Sequence, residues 1–188
     1  SDIGRMVDEF SSFARMPQPK VEPVELGEMA QASVFAQRVA NPRIKFLYDR
    51  PVEPISALCD ARLSGQALTN ILKNAGESVV SRMDRDGEGG PAGQIRIEVR
   101  EEVGFAVIEV SDNGMGWPVA DRERLTEPYM TTREKGTGLG LAIVKRVMED
   151  HKGRLELGVP ADGRGAVVRL VFPLQDSDAL EETAKHEA

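Results

Sequence analysis

Cysteine is almost missing from this 188-residue chain: Cys59 stands alone. No intrachain disulfide and no cysteine-built zinc cluster can therefore form, and the composition fits a reducing compartment. Histidine is nearly as scarce, with only His151 and His186, which argues against a His-rich metal centre. Phe, Trp and Tyr together make up 5% of the residues, so the core must be aliphatic. No apolar run approaches the ~18 residues that a membrane span needs, and no signal-peptide pattern opens the chain. Positive charge is in the minority: 24 Lys and Arg against 31 Asp and Glu leave a net charge of −7. A chain of that balance has no global basic footprint, so no nucleic-acid partner is expected. The P-loop pattern G-x-x-x-x-G-K-[ST] is absent as well.

What is present fits one ordinary domain with short attachments. Residues 2–15 place Ile3, Met6, Val7, Phe10, Phe13 and Ala14 on one helical face, and Pro17 and Pro19 stop the helix. The chain starts abruptly inside this helical pattern at Ser1-Asp2-Ile3, which reads as a segment excised from a longer protein. A short strand is predicted at Val21–Val24, a helix at Leu26–Ala40, and strands at Ile44–Tyr48 and Ile55–Cys59. Asp60 is placed to cap a helix over residues 61–83. Asp84 to Gly93 reads as a turn, then Gln94–Glu101 and Phe105–Ser111 alternate like an antiparallel hairpin. Residues 113–136 have no clear period. Leu139–Asp150 is helical, Arg154–Val159 and Ala166–Pro173 make a closing hairpin, and an acidic tail runs from Gln175. Helices interleave with strands, and two hairpins exclude a purely parallel sheet, so the expected fold is an α/β two-layer sandwich.

Three constellations carry chemistry. On the helix at 61–83, Leu68, Leu72, Ala75 and Val79 line one face, while Gln66, Asn70, Asn74, Glu77 and Ser81 line the opposite one. Asn is a weak helix former, so two of them four residues apart have no obvious local return. They do align two amide oxygens, of the kind that suits a hard cation such as Mg²⁺. The second constellation is Ser111-Asp112-Asn113-Gly114-Met115-Gly116. Asn-Gly signals a hairpin turn, but Trp117-Pro118 and an aperiodic loop follow instead of a strand. A carboxylate at a strand end beside two glycines can accept from a ligand donor, such as a purine amino group, while the backbone comes close. The third is Lys135-Gly136-Thr137-Gly138-Leu139-Gly140-Leu141, three glycines at steps of two leading into a helix. A helix start offers free N–H groups and the positive end of the dipole, a phosphate cradle, and Arg133 and Lys135 add cationic groups.

Taken in order, Asn70-x-x-x-Asn74-Ala75, Asp112-x-Gly114-x-Gly116 and Gly136-Thr137-Gly138-Leu139-Gly140-Leu141 resemble the N, G1 and G2 boxes of sensor histidine kinases. These belong to the gyrase/Hsp90/histidine-kinase/MutL ATP-binding superfamily. Pro128-Tyr129-Met130-Thr131-Thr132-Arg133 is similar to the segment between G1 and G2, and His151-Lys152-Gly153 to the H-G-G that closes the last helix, with Lys152 in place of Gly. The resemblance covers about residues 21–173. Arg5–Pro17 and Leu125–Tyr129 resemble the NtrY-type nitrogen-regulation sensor kinases.

The resemblance implies a mixed, mostly antiparallel sheet with helices on one face, the Bergerat-type ATP-binding fold, with ATP and Mg²⁺ as ligands. It implies that Asn70 and Asn74 hold Mg²⁺ against the phosphates. Asp112 would accept from the adenine amino group, and Gly114 and Gly116 would shape the adenine pocket. Gly136, Gly138 and Gly140 would let a lid at 115–136 approach the phosphates, and Arg133 or Lys135 would pair with the γ-phosphate. Thr132, Thr137, Leu139 and Leu141 complete the implied nucleotide contacts. Glu77 is either a further site residue or a solvent-facing one, and His151 reads as structural. By the same resemblance residues 1–19 are the end of a dimerisation helix plus linker, 20–174 the ATP-binding catalytic domain and 175–188 a tail.

The family's phosphoacceptor stretch, similar to H-E-I-K-N-P, does not occur here. The implied activity is transfer of the γ-phosphoryl of ATP to a His on a dimerisation domain, its own or a partner chain's, and onward to a response-regulator Asp. The parent is expected to be a homodimer, with this chain a cytoplasmic domain of an inner-membrane-anchored sensor. Two rivals remain: a conformational ATPase of the same superfamily, which usually has Glu where Asn70 stands, and a nucleotide-sensing module without turnover.

Overall fold

The computed structural model describes residues 15–118, 122–127 and 140–174, together with residues 3–4, 7–8 and 11 of the opening segment. Its main sheet has five strands: β2 (Ile44–Tyr48), β4 (Gly93–Glu102), β5 (Phe105–Asp112), β6 (Arg154–Gly158) and β7 (Ala166–Pro173). They run in the order β2-β4-β5-β7-β6. β4 and β5 are joined across Val103 and Gly104, where Gly104 takes φ +78, so the pair is antiparallel as a tight hairpin must be. β5–β7 and β6–β7 are antiparallel too. Only β2 pairs in parallel, with β4, because a helix lies between them in the chain and a parallel pair needs such a crossover. The mixed, mostly antiparallel sheet is as expected. β1 (Glu22–Glu25) and β3 (Ser56–Cys59) form a separate antiparallel ribbon, joined to the end of β7 by a bridge from Ala57 to Leu174.

Side-chain alternation decides which face of the sheet is covered. Ile95, Ile97 and Val99 of β4, Ala106, Ile108 and Val110 of β5, and Val168, Leu170 and Phe172 of β7 are buried on one face. Three helices pack there: α1 (Leu26–Ala40), α2 (Ala61–Asp86) and α3 (Gly140–Asp150). α2 contributes Leu63, Ala67, Leu68, Ile71, Leu72, Ala75 and Val79, which is the apolar stripe expected from the sequence. The other face carries charge: Arg100 pairs with Glu98, Glu102 and Glu109, and Arg169 with Glu102, Glu109 and Glu156. That lattice of paired charges makes the outer face compatible with water, with Val107 and Val171 buried among it.

Strand boundaries differ from the sequence reading by one residue at an end, and two differences are larger. α2 continues through Asp86, three residues past the expected end, and stops where Gly87 takes φ +71 and donates its N–H to Met83. A helix that ends on glycine ends where the backbone can leave it, not where the polar residues begin. The loop after β5 also holds a 3₁₀ turn, Arg122–Thr126, anchored by buried Leu125.

Asp60 caps α2 as expected, accepting from Leu63 N–H at 3.0 Å, and its second oxygen accepts from Lys20 N–H at 2.8 Å. Burial pushes the Asp60 carboxyl up, but the N–H groups of Leu63, Lys20 and Arg62 outweigh it and hold it below the ordinary aspartate range. A carboxyl held low in the fold stabilises it above the unfolded-state value of about 3.9, and that contribution fades as pH falls through the lower folded-state value. Thermal denaturation should therefore show wild type above Asp60→Asn at pH 7, with the gap closing as pH is taken below about 4. A gap that stays constant with pH would contradict this cause.

Candidate nucleotide site

The site is assembled where α2, the end of β5 and the start of α3 meet. Along α2, Gln66, Glu77 and Ser81 are exposed, while Asn70 and Asn74 are half-buried at the flank of the helix. The helix period places the two amides one above the other. Gly140, the first residue of α3, lies against the second of them: a Cβ there would come within 3.6 Å of Asn74 Nδ2. The first and third constellations, 66 residues apart in sequence, thus share one place. Gly140 and Leu141 open α3 there, so the first turn of that helix, the end that presents backbone N–H groups, begins beside Asn74 of α2.

Asp112 ends β5 and is only 7% exposed. Its Oδ1 accepts from Gly114 N–H at 2.8 Å, which turns the chain out of the strand. Asn113 replaces the missing ladder with its own side chain, accepting from Gln94 N–H and donating to the Ala92 carbonyl, both at 2.8 Å. The loop then crosses α2 so closely that a Cβ on Gly114 would sit 2.3 Å from Ser78 Oγ. Ser78 Oγ in turn accepts from Met115 N–H at 2.8 Å. Gly116 takes φ +77, a conformation glycine adopts without strain, and Trp117 Nε1 ties the loop to the Gly158 carbonyl at 2.6 Å.

Sequence reasoning missed three residues that build this site. Ser78 and Arg82 continue the spacing of Asn70 and Asn74 by four, so Asn70, Asn74, Ser78 and Arg82 form one line along α2. Glu77 and Ser81, which the sequence pattern groups with the asparagines, are exposed instead. Arg82 is 5% exposed; its Nε donates to the Asn113 carbonyl at 2.9 Å and its Nη1 to the Pro91 carbonyl at 2.7 Å, clamping the loop to the end of α2. The third is Gly165 at the start of β7, whose backbone lies directly on that of Asp112; no sequence pattern singled it out.

Removing the Ser78 hydroxyl tests that arrangement. A net hydrogen bond is worth about 0.5–1.5 kcal/mol, so Ser78→Ala should weaken ATP binding by roughly 2- to 10-fold with the fold intact. Calorimetric titration checks this, and wild-type affinity would remove Ser78 from the site.

A cavity of about 820 Å³ lies beyond this loop, lined by Arg82, Arg85, Arg164, Trp117, Gly114 and Gly116 among others. Asp112, Asn70 and Asn74 do not line it, and Gly114 and Gly116 do, so it adjoins the site along the loop that follows β5. Thr132, Arg133, Lys135, Gly136, Thr137, Gly138 and Leu139, and most of the expected lid, lie outside the described residues. His151 is buried at the end of α3, with Nε2 accepting from Asp60 N–H and Nδ1 against the Val147 carbonyl, so both ring nitrogens are engaged, as a structural residue requires. Among the described residues no group of three His, Cys, Asp or Glu could hold a metal ion, and no helix is long and apolar enough to cross a membrane.

A mixed sheet with α1, α2 and α3 on one face, and the Asp112 loop and the start of α3 at one end, is the fold of histidine kinase ATP-binding domains. The mycobacterial sensor histidine kinase MprB matches it with a TM-score of 0.68 and 28% identity, over 82% of this chain and 98% of that chain. Full-length ShkA, solved in complex with AMPPNP, matches in fold with a TM-score of 0.72 at 23% identity, over 93% of this chain and 36% of that chain. The family described as histidine kinase-, DNA gyrase B-, and HSP90-like ATPase matches residues 59–176, and the chain belongs to it. Nitrogen regulation protein NtrY of Azorhizobium caulinodans is 49% identical over 179 residues, 95% of this chain and 23% of that protein. The chain thus spans about a quarter of the length of the curated relatives it matches.

Proposed function

We propose that this chain is the catalytic ATP-binding domain of a two-component sensor histidine kinase of the NtrY type. It would transfer the γ-phosphoryl of ATP to a His on a separate dimerisation domain, for onward transfer to a response-regulator Asp. The observation that carries the reading is the approach of Gly140 to Asn74. It sets the start of a helix preceded by glycines against the second of two amide side chains one turn apart, with a buried strand-end carboxylate on the same side of the domain. An N–H-rich helix start suits phosphate, amide oxygens suit a hard cation, and Asp112 suits the adenine amino group.

In this reading Asn70 and Asn74 would hold Mg²⁺, and the donor set fits: two half-buried amides, with no rival acidic cluster among the described residues. Mg²⁺, when bound, neutralises charge on the phosphate oxygens. Asp112 fixes the base, Gly114 and Gly116 let the backbone approach it, and Gly140 and the glycines before it approach the phosphates. Arg133 or Lys135 is assigned to the γ-phosphate. Phosphoryl transfer depends mainly on such positioning and charge stabilisation, which is what these residues are suited to supply. Asn70 stands where conformational ATPases of the superfamily carry Glu, which favours the kinase. Residues 1–19 belong in this scheme to the end of a dimerisation helix and its linker, and 175–188 to a tail. The parent is a homodimeric, inner-membrane-anchored sensor with this domain in the cytoplasm.

The test is transfer itself. Incubated alone with labelled ATP, the chain should bind nucleotide and retain no acid-labile phosphate, since His151 is buried and bonded at both nitrogens. A supplied dimerisation domain should become labelled, weakly, because the covalent link that raises effective concentration is gone. Stable labelling of His151, or no labelling of any cognate His domain while ATP binds, would overturn the reading.

A further inference from the structure

Asp60 is where three distant parts of the chain meet. Its Oδ1 accepts from Leu63 N–H at the start of α2, and its Oδ2 from Lys20 N–H, 40 residues upstream. Its own N–H donates at 2.9 Å to Nε2 of His151, 91 residues downstream at the end of α3. An amide N–H can only donate, so Nε2 accepts and the ring proton sits on Nδ1, where it is given to the Val147 carbonyl at 2.6 Å. The ring is 5% exposed and stands edge-on to Phe172, so it has no second orientation to adopt without losing these partners.

The segment before Lys20 touches the same helices. Arg15, Met16 and Pro17 line a cavity of about 250 Å³ together with Leu63 of α2 and Ile143 and Val147 of α3. Val147 therefore meets both parts: its carbonyl is held by His151, and it lines the cavity that the incoming segment also lines. α3 has 11 residues, which makes it about 16 Å long. A helix of that length carries a displacement at His151 to its other end, where Gly140 abuts Asn74.

We infer that Asp60 and His151 are positioning residues, a relay that joins the incoming segment 15–20 to α3 and so sets the glycine start of α3 against Asn74 of α2. The segment that enters the domain is then mechanically continuous with the phosphate end of the site, without touching nucleotide itself. This inference rests on the function proposed above for its catalytic consequence, and on the hydrogen bonds alone for its mechanical one.

Lys20→Pro separates the relay from the site. It removes the N–H that Asp60 Oδ2 accepts and leaves every side chain of α2 and α3 in place. Hydrogen exchange of this chain without nucleotide should become about tenfold faster at amides 144–151 as well as in segment 15–22, while the melting temperature stays within about 4 °C of wild type. His151→Phe keeps a ring against Phe172 but offers no acceptor, and should raise exchange in segment 15–22 from the other side. His151→Gln, whose amide oxygen can accept from Asp60 N–H, should return it toward wild type. In transfer to a supplied His domain, Lys20→Pro should lower kcat severalfold with KM for ATP within about twofold. Wild-type exchange at 144–151 in Lys20→Pro overturns the relay, and that variant decides alone should His151→Phe not fold. The exchange experiment needs no nucleotide, so failure of wild type to bind ATP would overturn the proposed function and leave the relay result standing.

Discussion

Replacing Asn74 with alanine is expected to abolish Mg²⁺-dependent ATP binding while leaving the domain folded. Asn74 lies half-buried on the polar flank of α2, one turn after Asn70 and against Gly140, and away from the stripe of Leu68, Leu72, Ala75 and Val79 that fills the core. Alanine is the better helix former by several tenths of a kcal/mol, which offsets part of the lost side-chain contacts, so stability should change by less than about 1 kcal/mol. Binding should change far more. Mg²⁺ demands oxygen ligands in near-octahedral geometry, and an alanine methyl supplies none. At least a hundredfold loss in affinity, or about 2.7 kcal/mol, is expected with Mg²⁺ present, and little change when the cation is chelated. Titration with ATP in the two conditions measures the difference. Equal Mg²⁺-ATP affinity in the two proteins would remove the asparagines from the metal.

How much of this was legible in the sequence depends on which physical rule wrote each part. Period-2 alternation wrote β4, β5 and β7, because each has one face on the helices and the other in the lattice of Arg and Glu side chains. The 3.6-residue period wrote α2 for the same reason. The Asp60 cap was legible because the capping side chain is local to the helix it caps. Boundaries set by backbone conformation were less so: Gly87 ends α2, yet the Asp-rich stretch before it reads as a turn. The short strands β1 and β3 were found, but not that they pair with each other apart from the main sheet. Pairing is decided by distant partners, and four-residue strands carry too little pattern to name them.

The candidate site divides in the same way. Residues that would meet a ligand stood out because they break local rules: asparagines inside a helix, and glycines ahead of one. Asp112 stood out because Asn-Gly after it leads to no return strand. Residues that hold those groups in place did not stand out. Ser78 and Arg82 are ordinary on a helix until the Asn113–Met115 loop is laid across them. Asp60 and His151 are bonded across 91 residues, and no local pattern reports that.

Gly165 is the sharpest case of a residue that matters through its neighbour, and Gly165→Ala should be the most damaging single methyl in the domain. Its φ is +94, and a Cβ there would lie 1.9 Å from the Asp112 carbonyl oxygen, 2.7 Å from the Asp112 carbonyl carbon and 3.0 Å from Asn113 Cα. All three are backbone atoms, so no rotamer change relieves the clash. Ala166 pairs directly with Asp112 in the β5–β7 ladder, and the strands would have to part at the point where Asp112 is held. Left-handed backbone costs an alanine about 1–2 kcal/mol, and overpacking a further 1–3 kcal/mol. Unfolding stability should fall by about 2–5 kcal/mol, which lowers the melting temperature by roughly 5–20 °C in a domain of this size. ATP affinity should fall more than about tenfold, because a carboxylate displaced by an ångström no longer meets its donor. Gly163 supplies the control two residues earlier: its φ is +74, and nothing lies within 4 Å of a Cβ placed there. Gly163→Ala should cost the backbone strain alone, about 1–2 kcal/mol, and leave ATP affinity at the wild-type value. Denaturant titration and ATP binding measured on both variants separate strain from collision. Equal losses in the two would mean that the Asp112 backbone yields to the methyl and that Gly165 does not hold the carboxylate in place.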